Sequence, residues 1–106
     1  MNEPLTTARF AGLYGLWYPH QRHIGVFLRA LMNEVLAIRM SMAAIRRINP
    51  LAELYQTEDL GQTFATPDLE QQCRYERARR WLSLDLRRGP PAPYWSWLGA
   101  RPSDWV

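Results

Sequence analysis

The 106-residue sequence has no lysine and only one cysteine, and the scarcity of cysteine limits the class of protein to which it can belong. With Cys73 alone, no disulfide can form within the chain, which excludes the disulfide-stapled frameworks of small secreted domains. We expect a small, semi-buried thiol in a cytoplasmic protein. The sequence opens without a basic segment and apolar run, so we expect no signal peptide.

Long hydrophobic runs are also missing. The best candidate, residues 24–48, is interrupted by five charged side chains. A membrane-spanning helix needs about 18 or more predominantly apolar residues with few or no charges. We therefore predict a protein that does not cross a membrane.

Catalytic and metal-binding motifs are absent as well. The sequence contains no glycine-rich phosphate loop, no nucleophile elbow and no HExxH motif. His20 and His23 lie three residues apart but have no second pair of ligands, which favours two surface histidines over a metal site. Glu34 is free to pair with a carboxylate of residues 53–59, although no spacing requires it. We predict a protein that is not an enzyme and that holds neither cofactor nor metal.

Positive charge comes from arginine alone, and thirteen arginines oppose ten acids for a net charge of +3. A GC-rich genome favours arginine codons, but arginine also suits bidentate contacts with carboxylates and stacking on aromatic rings. Residues 1–60 hold six arginines and five acids, and residues 61–106 hold seven and five. Because nucleic-acid-binding domains usually show a lopsided basic excess, this even distribution argues against one.

A long helix is the clearest structural feature, and it is predicted over residues 20–48. Its apolar residues recur at spacings of four and three and form an a/d heptad seam, namely Ile24, Leu28, Leu31, Val35, Ile38, Met42 and Ile45. Packing of this seam within one chain is the commoner outcome. The rival is a homodimer through residues 24–45, because Glu34 and Arg39 stand in the g–e′ relation of a parallel coiled coil.

Two further helix starts are marked by a capping residue followed by proline, at Asn49 and at Thr66. Near the N-terminus, Thr6 and Thr7 are the candidate caps of a weaker helix over residues 8–18. The expected fold is all-α, a small bundle of three to four helices over residues 8–18, 20–48, 50–60 and 67–88. We expect residues 1–88 to form one helical domain and residues 89–106 to form an irregular extension rich in proline and tryptophan.

Six arginines lie on the predicted helix 67–88 and spread around it instead of forming one stripe. Glu70 and Glu76 precede Arg74 and Arg80 by four residues, the order that favours ion pairs. A solvated helix with one apolar core face is the ordinary interpretation. The alternative is a docking patch, because arginine and tryptophan are enriched at binding hot spots. Its members are Arg74, Arg77, Trp81 and Arg88.

The extension holds three of the five tryptophans. Its rings either fold back onto the helices or act as anchors in the pocket of a partner, and the predicted anchors are Tyr94, Trp95, Trp97 and Trp105. We predict a small adaptor, inhibitor or accessory subunit that binds a larger protein, such as a phage-encoded modulator or a minor subunit of a bacterial complex. The alternative is a nucleic-acid-binding regulator that uses helices 50–60 and 67–88 as a helix-turn-helix-like pair.

Overall fold

The computed structural model describes residues 2–88, except for the side chain of Arg88. Helix α1 spans Pro4–Ala8 and continues as a π-helix over Arg9–Leu13, α2 spans Ile24–Ile48, and α3 spans Glu70–Arg88 after a 3-10 turn at Pro67–Leu69. No strand occurs within residues 2–88, which confirms the all-α prediction for that part of the chain. None of these helices is long and apolar enough to cross a membrane. The predicted extension lies outside the described residues.

Helix α2 ends where the sequence predicts but begins four residues later, at Ile24. His23 caps it, because its Nδ1 atom accepts a hydrogen bond from the Gly25 N–H at 3.1 Å. The preceding residues cannot extend the helix, since His20 has a left-handed backbone with φ 58°. At the other end, Asn49 precedes a proline, whose ring disfavours the helical conformation of the residue before it.

The heptad seam of α2 is buried within the chain over most of its length. Its buried members are Leu28, Leu31, Val35, Ile38 and Met42. The first three belong to one core cluster with Phe27, which also lies on α2. The other members of this cluster are Leu5 and Ala8 of α1 and Leu82 and Leu86 of α3. A homodimer through residues 24–45 would have to displace these contacts, and only the final seam residue, Ile45, is exposed.

The helix near the N-terminus covers residues 4–13 instead of the predicted 8–18. It starts earlier because Pro4 suits a first helical position. It ends earlier because Gly15 adopts a left-handed backbone with φ 69°. Gly12 lets this helix approach α2 closely, since a Cβ atom at that position would lie 2.6 Å from the backbone nitrogen of Phe27.

The prediction of a helix over residues 50–60 is wrong, because this segment forms one turn and then has no regular secondary structure apart from an isolated bridge between Thr57 and Asn2. The local signal is present, since the Asn49 side chain accepts a hydrogen bond from the Leu51 N–H at 3.1 Å. The segment must nevertheless return from the end of α2 to Glu58, which faces Glu34, about 21 Å back along the helix axis. Nine helical residues would rise only about 13.5 Å, whereas nine extended residues span about 30 Å.

Candidate functional site

The docking patch predicted from the sequence lies on α3. Arg74, Arg77 and Trp81 occupy positions i, i+3 and i+7, share one side of the helix and are exposed. Trp81 leaves 52% of its surface accessible. The side chain of Arg88 lies outside the described residues, as do the predicted tail anchors Tyr94, Trp95, Trp97 and Trp105.

A groove runs beside Trp81, between α3 and the chain segment that approaches it. It has a volume of about 310 Å³ and is lined by Leu60, Gly61, Gln62, Arg77, Arg80 and Trp81; we name it the Trp81 groove. Arg77 Nε donates a hydrogen bond to the carbonyl of Thr63 at 3.0 Å, and Arg80 Nη1 donates to the carbonyl of Asp59 at 3.4 Å. Both guanidinium groups are therefore held against the facing segment.

Asp59 ties this segment to two helices. Its Oδ2 atom lies 3.3 Å from Nη2 of the buried Arg9, and its Oδ1 atom lies 3.8 Å from Arg80 Nη1. The hydrogen bond from Arg9 is the main reason that the pKa of Asp59 lies below its ordinary value. These charged contacts connect the groove wall to both α1 and α3.

The arginines of α3 do not converge on one face. Arg74 pairs with Glu70 at 3.0 Å, which confirms the first predicted ion pair. The second is wrong, because Glu76 pairs with Arg79 and Arg80 turns toward Asp59.

Arg79 departs most from the sequence-based interpretation, in which the arginines spread around a solvated helix. It is buried, with 4% of its surface exposed. Its Nη2 atom donates to the hydroxyl of Tyr14 at 2.7 Å, and its guanidinium lies 5.5 Å from the ring centroids of Tyr14 and Tyr75. An ion pair with Glu76 and two aromatic faces thus replace the water that this cation would otherwise keep.

Histidine and cysteine do not form a metal site among the described residues. His20 and His23 are exposed, as predicted, and no group of three or more potential ligands occurs within residues 2–88. Cys73 is buried, and its thiol donates to the carbonyl of Thr63 at 3.2 Å. This thiol helps hold the segment against α3.

The sequence did not decide which carboxylate of residues 53–59 pairs with Glu34. In the structure, the charge of Glu58 acts on Glu34. Glu34 Oε2 is buried without a hydrogen-bond partner among the described residues. Burial, and secondarily the charge of Glu58, raise the pKa of Glu34 to about 7. Glu58 in turn accepts long hydrogen bonds from the Leu5 N–H, at 3.3 and 3.4 Å, and so caps the N-terminus of α1.

A second concave surface was not predicted from the sequence. It lies between the C-terminal half of α2 and residues 53–54, and has a volume of about 560 Å³. Three arginines from two helices line it, namely Arg39, Arg46 and Arg87. The only signal in the sequence is the spacing of the first two along α2, because residue 87 joins them through tertiary packing alone.

Comparison with known proteins adds no functional information. The chain matches no protein-family model, no curated protein and no solved structure. A proposal about its function therefore depends on the residues described above.

Proposed function

We propose that this chain is a small non-enzymatic adaptor, inhibitor or accessory subunit that binds a larger protein. It docks through the Trp81 groove and through the tail anchors Tyr94, Trp95, Trp97 and Trp105, without a cofactor. The observation that carries the proposal is Trp81, a half-exposed indole beside a cation in a groove. Contact with a partner removes that apolar surface from water, at about 25 cal/mol per Å².

Arg77 supports the same proposal through its fixed position. Its hydrogen bond to Thr63 holds the side chain beside Trp81, so that less conformational entropy is lost when a partner binds. Leu60, which is 41% exposed and lines the groove, enlarges the apolar contact area. Aromatic and arginine anchors surrounded by such residues are typical of binding hot spots.

The cytoplasm is the compartment that we propose for this activity. Cys73 is a free thiol buried against Thr63, and an unpaired thiol persists in a reducing environment.

The alternative prediction, a nucleic-acid-binding regulator, loses the element on which it depended. Residues 50–60 form no helix, so the helix-turn-helix-like pair with α3 does not exist. The arginines of α3 are also turned in different directions, and Arg79 is buried. A phosphate backbone is best contacted by cations that share one face.

The test compares two tryptophans of equal exposure. The full-length protein, Trp81→Ala, Arg77→Ala and Trp17→Ala are immobilised in turn, and proteins retained from an extract of the source organism are quantified. Trp17 is the matched control because it is 50% exposed and lies outside the groove. We expect one set of partners whose retention falls about tenfold or more in Trp81→Ala and Arg77→Ala but not in Trp17→Ala.

Two results would contradict the proposal. Equal retention by Trp81→Ala and Trp17→Ala would remove the groove from the interface. Binding to random duplex DNA that weakens steeply with added salt, without any retained protein, would favour the nucleic-acid alternative. Circular dichroism of each variant separates loss of contact from loss of fold.

A further inference from the structure

The second concave surface, here called the arginine cleft, combines an apolar floor with a cationic rim. Ile38 and Met42 are buried at its base, and Leu54 lines it from residues 49–58, which lead from the end of α2 back to Glu58 and are here called the returning segment. Arg39, Arg46 and Arg87 also line it. Its volume of about 560 Å³ falls in the range of pockets that accept ligands or side-chain anchors.

The charges in the cleft are not balanced by the described part of the chain. Glu53 is the single acidic residue that lines it. Within residues 2–87, none of the three cleft arginines forms an ion pair, whereas Arg9, Arg74, Arg79 and Arg80 all do. These arginines are therefore available to pair with negative charge from outside the described part of the chain.

The spacing of the cations indicates what kind of anion fits. Arg39 and Arg46 are seven residues apart on α2, or about 10.5 Å along its axis. Arg46 is fixed in place, because its Nε atom donates to the carbonyl of Ala52 at 3.1 Å. One phosphate or carboxylate does not easily serve both, whereas two carboxylates four residues apart on an extended peptide lie on the same face and are separated by about 13 Å, a spacing that the long arginine side chains can meet.

We infer that the arginine cleft binds an acidic segment of a second protein, with a bulky apolar side chain on its floor and carboxylates on its arginines. Arginine forms bidentate, charge-assisted hydrogen bonds with carboxylates, which gives such a contact both strength and orientation. The surface is separate from the Trp81 groove and does not depend on it.

Other occupants fit the charges less well. A second copy of this chain carries the same excess of arginine, with a net charge of +3. Residues 89–106 contain one arginine and one aspartate, so they bring no net negative charge. An acidic partner is the occupant that neutralises the rim.

The test uses the full-length protein and a fluorescein-labelled peptide of twelve residues. The peptide has a central leucine with glutamates two residues to either side, so that all three side chains share one face of an extended chain, and a second peptide has lysines at those positions. We expect micromolar binding of the acidic peptide by fluorescence anisotropy, weaker at higher salt, and no binding of the basic one. Ala43→Glu places a carboxylate in the cleft, so it should weaken binding about tenfold or more.

Ala44→Glu is the matched control, because Ala44 is exposed one residue later on α2 and does not line the cleft. Arg39→Glu should weaken binding as Ala43→Glu does, and Trp81→Ala should leave it unchanged. Retained binding in Trp81→Ala keeps this inference distinct from the proposed function.

Four results would overturn the inference. They are equal binding of both peptides, equal loss in the Ala43→Glu and Ala44→Glu variants, binding only to vesicles of anionic lipid, and no binding at all. The tail is tested in the full chain by Trp95→Ala. Two results together would show that the extension occupies the cleft. Trp95→Ala would shift the amide resonances of cleft residues, and it would permit peptide binding that the native chain lacks. The inference then fails.

Discussion

We predict that Glu34 makes the stability of this protein depend on pH near neutrality. Glu34 lies on α2, and its side chain is half-buried. One oxygen of its carboxyl group has no hydrogen-bond partner among the described residues. Burial and the nearby charge of Glu58 raise its pKa from the ordinary value of 4.5 to about 7. The folded protein therefore holds a proton on Glu34 that the unfolded chain releases.

The sign of the effect follows from that difference in bound protons. Between pH 4.5 and about 7 the folded state binds more protons than the unfolded state, so the free energy of unfolding falls as the pH rises. The full pKa difference corresponds to roughly 3 kcal/mol. Because Glu34 is only half-buried, solvent screening reduces this amount, and we expect about 1–2 kcal/mol.

Urea denaturation followed by circular dichroism at pH 5, 6, 7 and 8 measures this effect. Glu34→Gln keeps the shape of the side chain and cannot ionise, so its stability should stay level across the same range. Glu53→Gln is the matched control, since Glu53 is an exposed glutamate on the returning segment. The reasoning is refuted if native stability is flat or rises from pH 5 to 8, or if Glu34→Gln keeps the native slope.

Two substitutions test how the helices are joined. Gly12→Ala places a Cβ atom 2.6 Å from the backbone of α2 and should lower the free energy of unfolding by about 2–3 kcal/mol. Gly61→Ala meets only the flexible end of Arg80, so equal losses in the two variants would contradict the close approach. Tyr14→Phe removes a 2.7 Å hydrogen bond from the buried Arg79, and urea denaturation should show a loss of about 1–2 kcal/mol. No loss would mean that water replaces the hydroxyl.

Local signals predicted the long elements well. The heptad spacing and Asn49–Pro50 located the body and the end of α2. Thr66–Pro67 located the 3-10 turn at Pro67–Leu69, after which α3 begins at Glu70, three residues later than predicted. The same type of signal failed for residues 50–60, where a turn formed but no helix followed. A capping residue lowers the cost of starting a helix, but a short segment stays helical only if its tertiary contacts allow it.

Part of the candidate site was also predictable. Arg77 and Trp81 were singled out by residue type and helical spacing, and the structure places both on one groove. The burial of Arg79 was not predicted, because its partner Tyr14 lies 65 residues away along the chain. The arginine cleft was missed for the same reason, since Arg87 meets Arg39 and Arg46 only when α3 packs on α2.

By itself, the sequence determined the helical class and the apolar face of α2. Apolar periodicity and capping act over a few neighbouring residues, so they can be recognised without knowing the fold. Tertiary structure alone decided which cations are buried, which acids meet and where the concave surfaces lie. Those outcomes depend on residues brought together across more than 20 positions, and on the roughly 21 Å that the returning segment must span.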